Sequence, residues 1–143
     1  MDQSFHYLLM AAHSLFHRRV MAELSQAELT SGQPKVLDYL GLHDGSAQKA
    51  VAAGCQIDPA TLTGLLARME EKGLIRRGMR EGDRRTQYVY LTELGRRKHQ
   101  QVQETFSRLE AEVLSGLDEP QRQALIRSLR TVCESMIDTE VLQ

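Results

Sequence analysis

The sequence has no tryptophan, two cysteines (Cys55 and Cys133), three prolines and only 5% aromatic residues. Two cysteines are too few for a disulfide scaffold, so the expectation is a reduced, cytoplasmic protein held by an apolar core. No apolar run approaches the ~18 residues that a membrane-spanning helix needs. The opening stretch carries Asp2 and lacks a basic segment, so it does not read as a secretory signal. Catalytic signatures are missing as well: there is no HExxH, no CxxC, no glycine-rich phosphate loop and no Ser-His-Asp order. An enzyme is therefore not expected. A large excess of charge is also lacking, because 18 basic residues nearly balance 19 acidic ones, for a net charge of −1. That disfavours a protein coating nucleic acid or membrane by bulk charge alone.

What is present is ordinary globular material: 143 residues, 41% hydrophobic, enough for one domain. The charge is unevenly spread. Residues 68–98 hold ten of the 18 basic residues (among them Arg68, Arg80, Arg84 and Arg85) and five of the 19 acidic ones, leaving eight basic and fourteen acidic residues elsewhere. A window of +5 thus sits in a body of −6.

Apolar spacing predicts a helix over 4–24, from Phe5, Leu8, Leu9, Ala12, Leu15, Phe16, Val20 and Leu24. Thr30 and Gln33 fit a capping box before a short second helix. Ser46 is placed to cap a third helix over 47–54. Asp58 and Pro59 suit the cap and first position of a fourth, which ends at Gly73. Residues 74–79 and 86–91 read as two strands around a charged tip at 80–85. Thr92 starts a long helix over 93–115, and Asp118 with Gln121 starts a last one reaching 139.

The functional signal lies in the middle. Residues 47–66 fit a helix-turn-helix: Ala52 is small where the helices approach, and Val51, Cys55, Ile57, Leu62 and Leu65 have packing spacing. The second helix turns small or polar residues outward (Ala60, Thr61, Thr63, Gly64, Arg68), as suits entry into a major groove ~12 Å wide. A two-stranded wing with Arg84 and Arg85 at its tip can reach a minor groove, where arginine is favoured. Asp83 reads as an internal partner that pairs with the Arg85 side chain and orients it. The DNA-binding candidates are Ser46, Gln48, Pro59, Ala60, Thr61, Thr63, Gly64, Arg68, Arg84 and Arg85. The fold class is mainly α with a small two-stranded β-wing. A winged helix used only for protein–protein contact is the rival reading, disfavoured by the basic wing tip.

At this point a resemblance becomes specific. Residues 30–95 resemble the MarR family of bacterial transcriptional regulators. The matching pieces are Leu29-Thr30-x-x-Gln33, Ile57-Asp58-x-x-Thr61-Leu62-Thr63, Leu66-x-x-Met69-Glu70-x-Lys72-Gly73-Leu74-Ile75-x-Arg77, Asp83-x-Arg85 and Val89-x-Leu91-Thr92-x-x-Gly95. Two positions depart from the family pattern: Gln56 stands where a glycine is common in the turn, and Ala47 where a hydroxyl residue is common.

The resemblance implies one MarR-like domain over 1–143, with a winged helix-turn-helix at 30–95 and dimerisation helices at 1–29 and 96–143. It implies a homodimer that binds a palindromic double-stranded DNA operator as a regulator, usually a repressor, and a small phenolic or anionic ligand that loosens the complex. No cofactor is implied. Phe5, His6, Tyr7, Met10, Phe16, His17 and Tyr39 are candidates to border the ligand cavity, residue types that are more often plain core or interface. His13 and His17 have a spacing that can hold a metal, and the resemblance includes zinc-responsive regulators. No cysteine or acid joins them at matching spacing, so ordinary histidines are expected and no metal site is assigned. Cys55 and Cys133 both read as buried small apolar residues rather than redox sensors.

Overall fold

A computed structural model describes residues 2–141, with side chains through residue 137. The elements run α1 (Phe5–Leu24), a short 3₁₀ turn, α2 (Gln33–Leu42), β1 (Ser46–Ala47), α3 (Gln48–Cys55), α4 (Pro59–Glu71), β2 (Ile75–Arg80), β3 (Asp83–Leu91), α5 (Glu93–Val113) and α6 (Glu119–Val141). Contacts divide the chain into two compact units after Ser107.

The winged module lies in the first unit, and its core follows helical spacing. Val36, Leu37 and Leu40 of α2, Val51 and Ala52 of α3, and Leu62, Leu65, Leu66 and Met69 of α4 are buried together with Val20, Leu24, Ile75, Val89 and Val102. Transfer of such apolar surface from water, at about 25 cal/mol per Å², is what holds the module together. α4 starts as its sequence dictates: Asp58 caps it by accepting the Thr61 N–H at 3.1 Å, and Pro59 occupies the first turn. The preceding turn sets Gln56 in the left-handed region at φ +53°. Its side-chain Nε2 donates to Ala53 O at 2.8 Å, which helps a non-glycine residue hold that conformation.

The sheet corrects one expectation, since it has three antiparallel strands, in the order β1-β3-β2, rather than two. Ser46 and Ala47 pair with Val89 and Tyr88. Ser46 is therefore a strand residue whose hydroxyl donates to His43 O at 2.6 Å, and extended Ala47 stands at the start of α3 without a side-chain cap. A strand of two residues has no period to read. The hairpin is also longer than expected: β3 begins at Asp83, and a register shift between Gly78 and Arg80 leads to a tip turning at Gly82, φ +84°. Polar residues on both faces hid this part of the strands.

At the start of α2 the cap is Gly32 in the left-handed region, not Thr30. Half of the expected box survives, as the Thr30 N–H donates to Gln33 Oε1 at 3.0 Å. α5 docks by close backbone approach. A Cβ on Gly95 would sit 2.0 Å from Leu74 O, and Thr92 N–H donates to the same oxygen at 3.1 Å.

In the second unit, Asp118 and Gln121 form the expected capping box at α6, each bond 2.9 Å. Arg122 Nε donates to the Leu114 and Leu117 carbonyls, securing the turn before it. Leu125, Ile126, Leu129, Met136 and Ile137 of α6 are exposed, and Cys133 lies exposed on the same helix rather than buried. Its apolar neighbours at helical spacing, Leu129, Met136 and Ile137, are exposed as well. No helix among the described residues is long and apolar enough to cross a membrane.

Candidate nucleic-acid interface

α4 divides cleanly. Its buried residues face the core, and Pro59, Ala60, Thr61, Thr63, Gly64 and Arg68 are exposed. The exposed residues do not form one patch, however: Pro59 and Thr63 border one concavity, Thr61 and Arg68 another, and Ala60 and Gly64 line neither.

The first is a groove of about 460 Å³ between α3, α4 and the wing, bordered by Gln48, Lys49, Pro59, Thr63, Arg85 and Thr86 among others. It brings together residues from three elements that the sequence separates by up to 38 positions. Gln48 Nε2 donates to Thr63 Oγ1 at 3.1 Å, while the Thr63 hydroxyl donates to Pro59 O at 3.0 Å. The Thr63 hydroxyl is thus engaged on both counts. It orients the Gln48 amide, whose second N–H and oxygen are the groups suited to a base edge. Lys49 was not singled out by sequence. A lysine at the first turn of a short helix carries no signal until the wing is folded against it.

The wing supplies the cations. Among the described residues, no carboxylate pairs with the guanidinium of Arg68, Arg84 or Arg85. Asp83 does orient the wing tip, but not by the expected route. Its Oδ1 accepts the backbone N–H groups of Arg85 and Thr86, both at 3.1 Å, and its Oδ2 accepts the Tyr88 hydroxyl at 3.0 Å. A short side chain two residues away reaches a backbone amide more readily than a long guanidinium that gains from solvent. The Thr86 side chain first, then the Arg85 amide and the Tyr88 hydroxyl, hold the Asp83 carboxyl below its ordinary range by hydrogen bonding, and the bond to Asp83 raises the Tyr88 hydroxyl above its own.

The second concavity, about 480 Å³, lies between α1, the start of α2, α4 and Phe106 of α5. Val20, Met21, Ile57, Leu65, Phe16 and Phe106 make its wall apolar, and the two phenyl rings lie 6.3 Å apart and nearly parallel. His13, His17, Ser31, Lys35, Thr61 and Arg68 supply polar groups. Of the cavity candidates, Phe16 and His17 border it. Tyr7, with Phe5 and His6, lies at least about one and a half turns before His13, where α1 first meets the cavity, and Met10, just under one turn before it, does not border it either. Tyr39 is diverted elsewhere: its ring packs on Gly54, where an added Cβ would meet it at 2.1 Å, and against His43 at 4.6 Å.

His13 and His17 stack at 6.0 Å, and His17 Nε2 lies 3.5 Å from Ser31 Oγ. Among the described residues, no three metal-binding side chains converge. Cys55 is buried with its thiol toward Lys35 O at 3.6 Å, and burial pushes it up to about 11, away from thiolate chemistry.

Comparison with known proteins places this geometry. A profile described as the MarR family matches residues 27–86. The chain is similar to the HTH-type transcriptional regulator TtmR of Methylorubrum extorquens (strain PA1), 33% identical over 67% of this chain and 49% of that protein, so it spans about half of that relative's length. It is also similar to the HTH-type transcriptional regulator BilQ of Clostridium symbiosum (strain WAL-14163), 25% identical over 91% of this chain and 90% of that one. Among solved structures, the S. aureus MepR–DNA complex superposes with a TM-score of 0.85 at 26% identity, covering 94% of this chain and 99% of that chain.

Proposed function

The chain belongs to the MarR family of winged-helix transcriptional regulators, and we propose that it acts as a homodimeric repressor, reading a palindromic double-stranded operator and releasing it when a small acidic ligand binds. The observation that carries the DNA reading is the groove in which Gln48, Thr63 and Arg85 converge. It presents one amide for base edges beside an unpaired guanidinium for phosphate or minor groove. The similarity to MepR, whose structure holds DNA, supports this.

Dimerisation is supported by two apolar faces that the single chain leaves open. Phe5, Leu8, Leu9, Met10 and Leu15 are exposed on α1, and Leu125, Ile126, Leu129, Met136 and Ile137 on α6. Apolar surface of this extent on a monomer marks an interface. A symmetric pair can set two α4 helices about 34 Å apart, in successive major grooves.

The α1–α4 cavity supports the ligand. Its apolar wall suits an aromatic or aliphatic body, and Lys35 and Arg68 beside two histidines suit a carboxylate or phenolate. Thr61 and Arg68 stand on α4 itself, so a ligand held there draws on the helix that enters the groove. By reciprocity, DNA must weaken the ligand as much as the ligand weakens DNA.

Titration of labelled genomic DNA fragments with the wild-type chain tests the first part. Saturable, salt-sensitive binding with two chains per site is expected, and no binding at low salt contradicts it. Calorimetric titration with a series of substituted benzoates tests the second. Heat that Arg68→Ala abolishes supports the cavity reading, and heat unchanged by that variant contradicts it.

A further inference from the structure

The wing tip is held by contacts that begin outside the wing. Arg80, the last residue of β2, reaches back to the loop between α2 and β1, where its Nη2 donates to Gly45 O at 2.7 Å. Its Nε donates to the Tyr90 hydroxyl oxygen at 3.1 Å, and its guanidinium lies 3.9 Å from the centre of the Tyr88 ring. Tyr88 in turn donates to Asp83, which accepts the Arg85 and Thr86 amides. An unbroken series of contacts thus runs from Gly45 through Arg80, Tyr88 and Asp83 to the backbone of Arg85.

The loop end of this series is itself anchored. Gly45 N–H donates to Val89 O at 2.9 Å, and the preceding Asp44 accepts the Leu91 N–H at 2.7 Å. Gly45 has φ +77°, and a Cβ there would lie 2.9 Å from the Tyr90 ring and 3.2 Å from Arg80 Nη2. Only glycine lets the guanidinium lie so close. The chemistry also requires arginine, since a planar fork can donate to two acceptors while its face rests on a ring, and a lysine ammonium cannot do all three. These contacts engage the Arg80 guanidinium with neutral groups of the protein, and among the described residues no carboxylate pairs with it, as none pairs with Arg84 or Arg85.

We propose that Arg80 is a positioning residue for DNA binding: it fixes the direction in which the wing presents Arg84 and Arg85 and makes no DNA contact of its own. The proposal rests on the DNA-binding reading, and amide hydrogen exchange separates the two, because it reports on the wing without DNA.

The experiment compares the wild-type chain with Arg80→Ala, Arg80→Lys, Arg85→Ala and the double variant Arg80→Ala/Arg85→Ala. Exchange is measured at the Arg85 and Thr86 amides, and affinity is measured for a duplex selected from random sequence. Arg80→Ala and Arg80→Lys should both speed that exchange by about fivefold or more, with the α4 amides unchanged. Both should weaken DNA by about tenfold, and the loss should shrink when Arg85 is already alanine, with Arg84 alone left to be aimed, as coupled positions behave. Losses that add in the double variant, or full rescue by lysine, would make Arg80 a direct phosphate contact and overturn the proposal. Unchanged exchange would also overturn it. Faster exchange in a chain whose wild type binds no duplex would uphold the clamp and refute the DNA reading. If Arg80→Ala does not fold, Tyr88→Phe keeps the ring, removes the bond to Asp83 and should speed the same two amides; no change there overturns the proposal.

Discussion

At the scale of single residues, the proposed interface separates side chains that would touch DNA from those that would aim them. Arg85 is proposed for the first kind: among the described residues no carboxylate pairs with its guanidinium, and its backbone is pinned by Asp83. Arg85→Ala should weaken operator and unrelated DNA alike and lower the slope of log affinity against log salt by about one. Affinity measured at two salt concentrations checks this. Thr63 belongs to the second kind, since its hydroxyl is engaged by Gln48 and Pro59. Thr63→Ser should preserve operator preference, and Thr63→Ala should lose about 1 kcal/mol of it as Gln48 is released. In a Gln48→Ala background the Thr63 change should then cost little. Binding isotherms on operator and random duplexes decide between these outcomes. The outward position and polarity of Thr63 are visible in its spacing, but the partner fifteen residues earlier is not, because only the crossing of α3 over α4 brings them together.

Among the secondary-structure elements, local signals were legible and long-range ones were not. Asp58-Pro59 announces the start of α4, and the cap bond is present. Asp58→Ala should therefore cost about 1 kcal/mol of stability, read as a lower urea midpoint with unchanged slope. The helices of the reading motif follow from apolar spacing, and Gln56 takes the left-handed turn that its odd position requires. β1 escaped notice because two residues show no alternation, and the wing proved longer because its outer half is polar on both faces. The α1–α4 cavity was half legible. Phe16 and His17 lie on it, but Lys35, Leu65, Arg68 and Phe106 join from three other helices. Tyr39, an aromatic with suitable spacing, is taken up by Gly54 instead. The Arg80 clamp was hidden for the same reason: Arg80 reads only as one residue of a charged hairpin tip until the loop carbonyl that accepts from it is in place.

On the level of the whole molecule, the near-neutral charge is the sum of a basic reading module and an acidic remainder. Modest overall charge predicts modest affinity for arbitrary DNA, so recognition must come from two correctly spaced half-site contacts. On the proposed reading, dimerisation is then a condition of function. Leu129→Glu on the exposed face of α6 should shift the chain to monomer in sedimentation and weaken operator binding by at least about tenfold, as a buried unpaired charge is costly. An unshifted dimer would place the interface elsewhere. The most direct test of the central claim is selection of bound duplexes from a random-sequence pool by the wild-type chain. An enriched palindrome is expected, with half-site centres about one helical turn apart, near 34 Å. Enrichment of a single unrepeated half-site, or no enrichment over the starting pool, would contradict it.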